Sequence, residues 1–425
     1  MNNNLADKVI PYLRPGVIRE HFVKILFFLA FGLAGFSFLK SYSSKDISIF
    51  YQYALNILQG QVPYRDFPIE YPPLALLPIV LPQLFNAISL KTQRGYELFF
   101  FIQNAAFILF IGFLVKVSGG GRRQLKEPAW YILPAYLLLV ILLARILLIY
   151  FDLFPVIFTA LALLAVVKNR PSLCGISLGL GTATKLYPVI LLPVFSLNYI
   201  YKKQYQELAK LLVSFFSTLA VLLVLLLPIG WNNVFRFLQY HKLRGLHLES
   251  IPAGVLLLAH KLGWMNITLE NNYGAIHLNN SAVTATIIQL LPPIFIFAFL
   301  LSMLSYWKYF QLAAKNSISN TSPRNHHVLV IGITLVILVF IVFNKVFSPQ
   351  YLIWLIPFIP FLGSGQIVLF AVICGLNILV WPVFYDELMN LELLPILLLN
   401  CRNLLMLTLT FWILSKSFLS SSRRS

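Results

Sequence analysis

Charged side chains are scarce in this sequence: Asp, Glu, Lys and Arg together make up 11% of its 425 residues, against 59% hydrophobic. A soluble domain of this length has no use for so much apolar surface. The ~10-residue alternating segments of a transmembrane barrel are also missing. Apolar runs of ~17–25 residues recur instead, long enough for a helix to cross a bilayer core. The expected fold is therefore all-α, a polytopic integral membrane protein.

Cysteine is nearly absent. Cys174, Cys374 and Cys401 lie in apolar stretches without paired spacing, so neither a disulfide framework nor a zinc site is indicated. No Gly/Ser linker and no appended soluble segment divides the chain, which reads as one domain over 1–425. No cleavable signal is evident, because the first apolar run follows a polar segment of about twenty residues and is long enough to remain an anchor.

Acids are few, 14 against 32 Lys and Arg, giving a net charge of +18. The bases sit in short clusters between apolar runs, such as Lys116/Arg122/Arg123/Lys126, Lys202/Lys203/Lys210 and Lys308/Lys315/Arg324. That distribution orients a membrane protein with these loops in the cytoplasm, so no nucleic-acid partner is expected. Threading on this rule keeps both termini cytoplasmic and gives about 12 spans: 22–40, 95–117, 128–149, 151–167, 172–184, 186–201, 209–229, 283–306, 328–345, 350–362, 366–383 and 394–414. Residues 74–90, interrupted by Pro78 and Pro82, are expected as a juxtamembrane or re-entrant helix. Two polar segments, 41–94 and 230–282, then fall on the outer face. Only Asp7, Glu20, Glu127 and Glu207 of the fourteen acids lie inside.

The segment SYSSKDISIFYQYALNILQGQVPYRDFPIEYPPL, 41–74, is where chemistry is expected. From Ile47 the positions Ile47, Phe50, Tyr51, Ala54, Leu55 and Leu58 follow helical spacing, so 47–59 can lie flat on the membrane. Asp46 begins that helix. An Asp there is a favoured N-cap; it is equally placed to act as a general base, since an ionised carboxylate only accepts protons. Tyr64 and Tyr71 suit an interfacial anchor. Asp66 and Glu70 stay open between sugar binding and local pairing, Arg65 being a ready partner for Asp66. Lys185, Arg244 and Lys345 come from distant parts of the chain and fall at the predicted outer boundary. Each alone would snorkel to water; together they would suit a lipid-linked phosphate. Residues 231–250 read as an interfacial amphipathic helix, and His241 and His247 lack metal-ligand spacing. Gly175 and Gly179, four apart, would let helix backbones approach closely. The Gly-rich run before Lys185 is not a phosphate-binding P-loop, for Thr184 precedes the lysine and Leu186 follows it.

Taken in order, the Asp46 loop, GQVPYRDFPIEYPPL (60–74), FDLFP (151–155), GISLGLGTATKLYP (175–188), RGLHLES (244–250) and KVFSPQYLIWLIP (345–357) resemble glycosyltransferase family 87 of the GT-C superfamily, the polyprenol-phosphate-mannose-dependent α-mannosyltransferases. The resemblance implies a GT-C-like fold with its site on the outer face, a polyprenyl-phosphate sugar donor, a lipid or glycan acceptor, and inversion at the anomeric carbon. It makes Asp46 the catalytic base. It sets Lys185, Arg244 and Lys345 near the donor phosphate; Asp66, Glu70, Tyr71, Asp152, Glu249, Gln350 and Tyr351 complete the substrate-binding candidates. Asp66, Glu70 and Asp152 also compete with Asp46 for the role of base. No covalent or nucleotide cofactor is implied, and a divalent metal stays open. The cell membrane is the expected location. The rival reading, a lipid flippase or small-molecule transporter, would place ionisable groups near the bilayer midplane; here the span interiors hold few, Arg145 and Arg402 the clearest.

Overall fold

A computed structural model describes residues 45–119, 131–279, 281–315 and 322–422. The first expected span, 22–40, lies outside the described residues. Most of the described chain is helical.

The chain enters through α1 (Lys45–Leu58), whose first turn carries Asp46 and whose buried stripe is Ile47, Phe50 and Ala54. The helix expected over 74–90 is α2 (Leu76–Ile88). It buries Ile79, Gln83 and Asn86 while Leu77, Leu81, Leu84, Phe85 and Ile88 stay exposed, an apolar outer face suited to lipid. Pro82 lies inside α2 and has no N–H to offer the Pro78 carbonyl one turn back. Gln103 supplies the missing donor at 2.9 Å, and the Tyr96 hydroxyl donates to the Ile79 carbonyl at 2.9 Å. Both come from α3 (Gln93–Gly119), so the proline that weakens α2 also fastens it to its neighbour.

The next expected span, 128–149, is broken. It forms α4 (Ile132–Leu142) and α5 (Ala144–Ile149), after which Tyr150 is extended. Then come α6 (Leu153–Val167) and α7 (Pro171–Thr184), a 3₁₀ turn at Tyr187–Leu191, α8 (Leu192–Tyr201) and the long α9 (Tyr205–Leu226). Helices α7 and α9 pack at glycine. A Cβ on Gly175 would stand 2.3 Å from the Leu211 carbonyl oxygen, and one on Gly179 would stand 2.8 Å from Thr218 Cβ. The four-residue spacing thus marks the close approach expected of it.

Residues 230–279 depart from the all-helical expectation. The amphipathic stretch after Gly230 forms Trp231–Val234 and α10 (Arg236–Leu243), but it ends at Arg244 rather than continuing to 250. Strand β1 (Leu246–His247), helix α11 (Ile251–Lys261), and strands β2 (Thr268–Asn272) and β3 (Ala275–Asn279) follow. The strands form one antiparallel sheet in the order β1-β3-β2, with His247 opposite His277 and Asn272 opposite Ala275.

The last third is α12 (Ser281–Lys315), α13 (Ser322–Val342), α14 (Ser364–Ile378) and α15 (Leu393–Ser422). Between α13 and α14 the expected span 350–362 does not form a continuous α-helix. Pro349, Pro357 and Pro360 divide it into two 3₁₀ segments, Pro349–Leu355 and Ile359–Phe361, since each proline removes a donor from any continuous ladder. Among the described residues, five helices are long and apolar enough to cross a membrane, and six shorter apolar ones accompany them.

One polar junction ties the 244–250 segment to α15. Arg402, fully buried, donates to Glu249 Oε2 at 2.7 Å, to the Glu249 carbonyl at 2.7 Å and to Asn377 at 2.9 Å, and lies 4.2 Å from the Phe347 ring centroid. Two charges out of water are tolerable when paired and hydrogen-bonded in this way.

Candidate active site

Asp46 stands in the first turn of α1, where a carboxylate favours the positive helix end. Its side chain nevertheless reaches across the fold: Oδ2 accepts a hydrogen bond from the Tyr150 hydroxyl at 3.1 Å. Tyr150 is held there by Asn104 of α3, whose Nδ2 donates to the carbonyls of Leu148 at 2.9 Å and Tyr150 at 3.1 Å. Burial raises the Asp46 carboxyl above the ordinary aspartate value; the nearby Glu70 charge adds to this and the Tyr150 bond opposes it. A carboxylate so placed holds a proton more readily than a solvated one, as a general base requires.

Phe50, one turn along the same face of α1, links Asp46 to the cations. Its ring lies 5.6 Å from Phe151 and 6.1 Å from Tyr71, which themselves meet edge to face at 4.7 Å. Over this floor sits the Lys185 ammonium, 5.4 Å from the Phe151 centroid, 5.9 Å from Tyr71, 5.6 Å from Trp354 and 6.0 Å from Tyr351. Four ring faces favour a cation there. Lys185 ends α7 in an extended conformation, which turns its side chain off the helix axis. Its Nζ bonds Asp152 Oδ1 at 2.6 Å.

Asp152 precedes α6 without capping it. It is buried, and its Oδ1 also accepts from the Trp354 indole N–H at 2.7 Å, while Oδ2 has no hydrogen-bond partner. Trp354 is sandwiched between Tyr187 and Tyr351, each at 4.1 Å. Tyr351 thus belongs to the aromatic cluster around the Lys185 ammonium. Its neighbour Gln350, half-buried, has an Oε1 with no hydrogen-bond partner.

The second cation is Arg244, which follows α10. Its Nη2 bonds Glu70 Oε2 at 3.0 Å, and Nε and Nη2 both donate to the Tyr273 carbonyl, at 3.2 and 3.1 Å. The guanidinium lies 5.2 Å from the Tyr240 centroid. Side chains of Arg244 and Glu70 are only 13% and 14% exposed, so this pair is better shielded than a surface one. Lys345 behaves differently from its two fellow cations. Its ammonium donates to the carbonyls of Lys242 at 3.0 Å and Arg244 at 2.5 Å, and its own carbonyl receives the His247 N–H at 3.0 Å. It therefore closes the end of α10 and sets the backbone beneath Arg244.

Two expected site residues are committed to other partners. Asp66 lies on an exposed turn, where its Oδ1 pairs with Arg65 at 2.8 Å and its Oδ2 accepts the Val62 N–H at 2.7 Å. Those bonds hold its carboxyl below the ordinary range. Glu249 is committed to Arg402 in the buried junction with α15. Tyr150, Trp354 and Tyr240 were not singled out from sequence, although the first abuts FDLFP and the second lies inside KVFSPQYLIWLIP. Around the Arg244 side, burial pushes His241 down to about 4 and His247 to about 3. Both are accordingly neutral near pH 7. Among the described residues, no three His, Cys, Asp or Glu side chains group so as to hold a metal ion.

The arrangement sets a carboxylate with raised proton affinity on one side of an aromatic floor. The Lys185 ammonium lies over the same floor, and Lys185 and Arg244 are each already beside a carboxylate of their own. Residues of these kinds can offset charge on an anionic leaving group and take a proton from an incoming hydroxyl. The chain matches the model of a known family, described as Glycosyltransferase family 87, over residues 69–307, more than half its length. Glu70, Asp152, Lys185 and Arg244 fall within that match; Asp46, Lys345 and Trp354 fall outside it. No curated protein matches the chain.

Proposed function

We propose that this chain, which belongs to glycosyltransferase family 87 and is a membrane glycosyltransferase, moves a hexose from a polyprenyl-phosphate carrier to a lipid- or glycan-linked acceptor. Mannose is the hexose that the resemblance implies. The reaction takes place on the non-cytoplasmic face of the cell membrane, with inversion at the anomeric carbon. The acceptor hydroxyl oxygen forms a bond to that carbon, and Asp46 takes its proton. The bond from the carbon to the phosphate oxygen breaks, and polyprenyl phosphate departs with both electrons. Lys185 and Arg244 offset the charge that gathers on the leaving phosphate, which stabilises the transition state more than the ground state. No nucleotide is required, since the lipid phosphate already activates the sugar.

The observation that carries this reading is the common aromatic floor, Phe50, Tyr71 and Phe151, which joins the Asp46 helix to the Lys185 ammonium. The test is transfer by purified protein in detergent, with a polyprenyl-phosphate hexose and a nucleotide sugar offered separately. Transfer from the lipid donor alone is expected; transfer from the nucleotide sugar alone contradicts the proposal.

A further inference from the structure

Arg244 is fixed by a part of the chain that no motif in the sequence marked. Strands β2 and β3 are joined by a two-residue turn in which both residues are left-handed, Tyr273 at φ +47° and Gly274 at φ +67°. Two successive positive φ values match the twist of a tight hairpin. The turn does more than connect strands. The Tyr273 carbonyl accepts from both Nε and Nη2 of Arg244, and the Tyr273 ring meets Tyr240 edge to face at 5.4 Å. A Cβ on Gly274 would stand 2.8 Å from the Tyr240 hydroxyl, 3.3 Å from Glu70 Oε2 and 3.9 Å from Arg244 Nη2. Gly274 is therefore glycine for two reasons, its backbone conformation and the room it leaves for the Tyr240 hydroxyl under Arg244 and, less tightly, for Glu70.

The hairpin is anchored where such a role needs it. Strand β3 pairs with β1, only two residues beyond Arg244, and the Leu248 N–H donates to the Ile276 carbonyl at 2.9 Å. From below, Lys345 holds the Arg244 carbonyl. The arginine is thus gripped at its main chain by one element and along one edge of its guanidinium by another. A carbonyl orients the guanidinium without neutralising it. The edge it occupies is Nε–Nη2, and Glu70 meets the guanidinium at Nη2 as well, so neither contact is made at Nη1.

We infer that the Tyr273–Gly274 turn is a positioning element of the site, which orients Arg244 so that its Nη1–Nη2 end meets the phosphate of the lipid donor. The phosphate part of this statement rests on the function proposed above; the grip of the turn on Arg244 does not. Glycine at 274 keeps that grip open, and Glu70 holds the same guanidinium until the donor arrives.

The experiment compares Gly274→Ala with Gly263→Ala, a control that also stands at positive φ, +76°, but has open space around it. Gly274→Asn is a second probe, since Asn tolerates left-handed backbone and keeps the hairpin folded while its side chain still intrudes. Gly274→Ala should lower kcat/KM about tenfold, chiefly through the KM of the polyprenyl-phosphate donor, and should cost under about twofold more in an Arg244→Lys background, as coupled residues do. Gly263→Ala should match wild type. Losses that simply multiply, or a Gly274→Ala protein equal to the Gly263→Ala control, would overturn the inference. An independent measurement needs no substrate: Arg244 should react with phenylglyoxal, followed by mass spectrometry, faster in Gly274→Ala and Gly274→Asn than in wild type. Equal rates would overturn the grip itself, whereas an enzyme silent toward the lipid donor would count against the functional proposal alone.

Discussion

Asp152 and Lys185 lie 2.6 Å apart, and the Trp354 indole shares the same carboxylate oxygen at 2.7 Å. The lysine is thereby held on its aromatic floor by an acid and an indole, brought together from residues 152, 185 and 354. Because Oδ2 of Asp152 has no partner, the carboxylate depends on these two donors alone.

Trp354→Phe keeps one aromatic ring in the stack and removes the indole N–H together with the second ring. A hydrogen bond to a charged group contributes about 1.5–3 kcal/mol, so Lys185 should be misplaced enough to cost roughly tenfold or more in kcat/KM. Steady-state transfer by the purified variant measures this, with a thermal melt to show that the stack survives. Wild-type kinetics would detach Trp354 from the site.

The raised Asp46 carboxyl sets the acid side of the pH profile. The base works only when ionised, so kcat/KM should fall as pH drops through the Asp46 pKa. That fall should have its midpoint above the ordinary aspartate value of 3.8. Glu70 helps to raise Asp46, and Glu70→Gln removes that charge. Whatever it does to the rate, this variant should therefore move the acid midpoint to lower pH, and an upward shift would contradict the coupling.

Glu249, expected among the substrate-binding residues, forms half of the buried junction with Arg402. Glu249→Gln leaves the guanidinium without a counter-charge, and breaking a buried pair in this way costs about 3–5 kcal/mol. A large drop in melting temperature in detergent is expected, with less further loss when Arg402→Met is added. A Glu249→Gln protein as stable as wild type but unable to bind donor would return Glu249 to the site.

Local pattern made some of this legible. The spacing of Ile47, Phe50 and Ala54 gave α1, the long uninterrupted run gave α3, and Gly175 with Gly179 gave the α7–α9 approach. What stayed hidden depends on contacts between distant residues. The 350–362 stretch is apolar enough to suggest a span, but its prolines outweigh hydropathy. Strand β1 is two residues long and pairs some thirty positions away, so no periodicity announces it. The turn at Tyr273–Gly274 did carry a signal, a glycine between two short polar-apolar stretches, but it lay inside 230–282, which read only as an outer polar segment. Likewise, composition located the carboxylates without saying which faced inward. Asp66 and Asp46 look alike in sequence; one accepts from Arg65 on the surface, and the other accepts from Tyr150 inside.

That difference makes one measurement decisive. Transfer from a polyprenyl-phosphate hexose should be compared for wild type, Asp46→Asn and Asp66→Asn, each checked for folding in detergent. Removing a general base costs about 10²–10⁴-fold, so Asp46→Asn should lose activity on that scale while Asp66→Asn keeps nearly all of it. A folded Asp46→Asn enzyme that still transfers sugar at the wild-type rate would contradict the account.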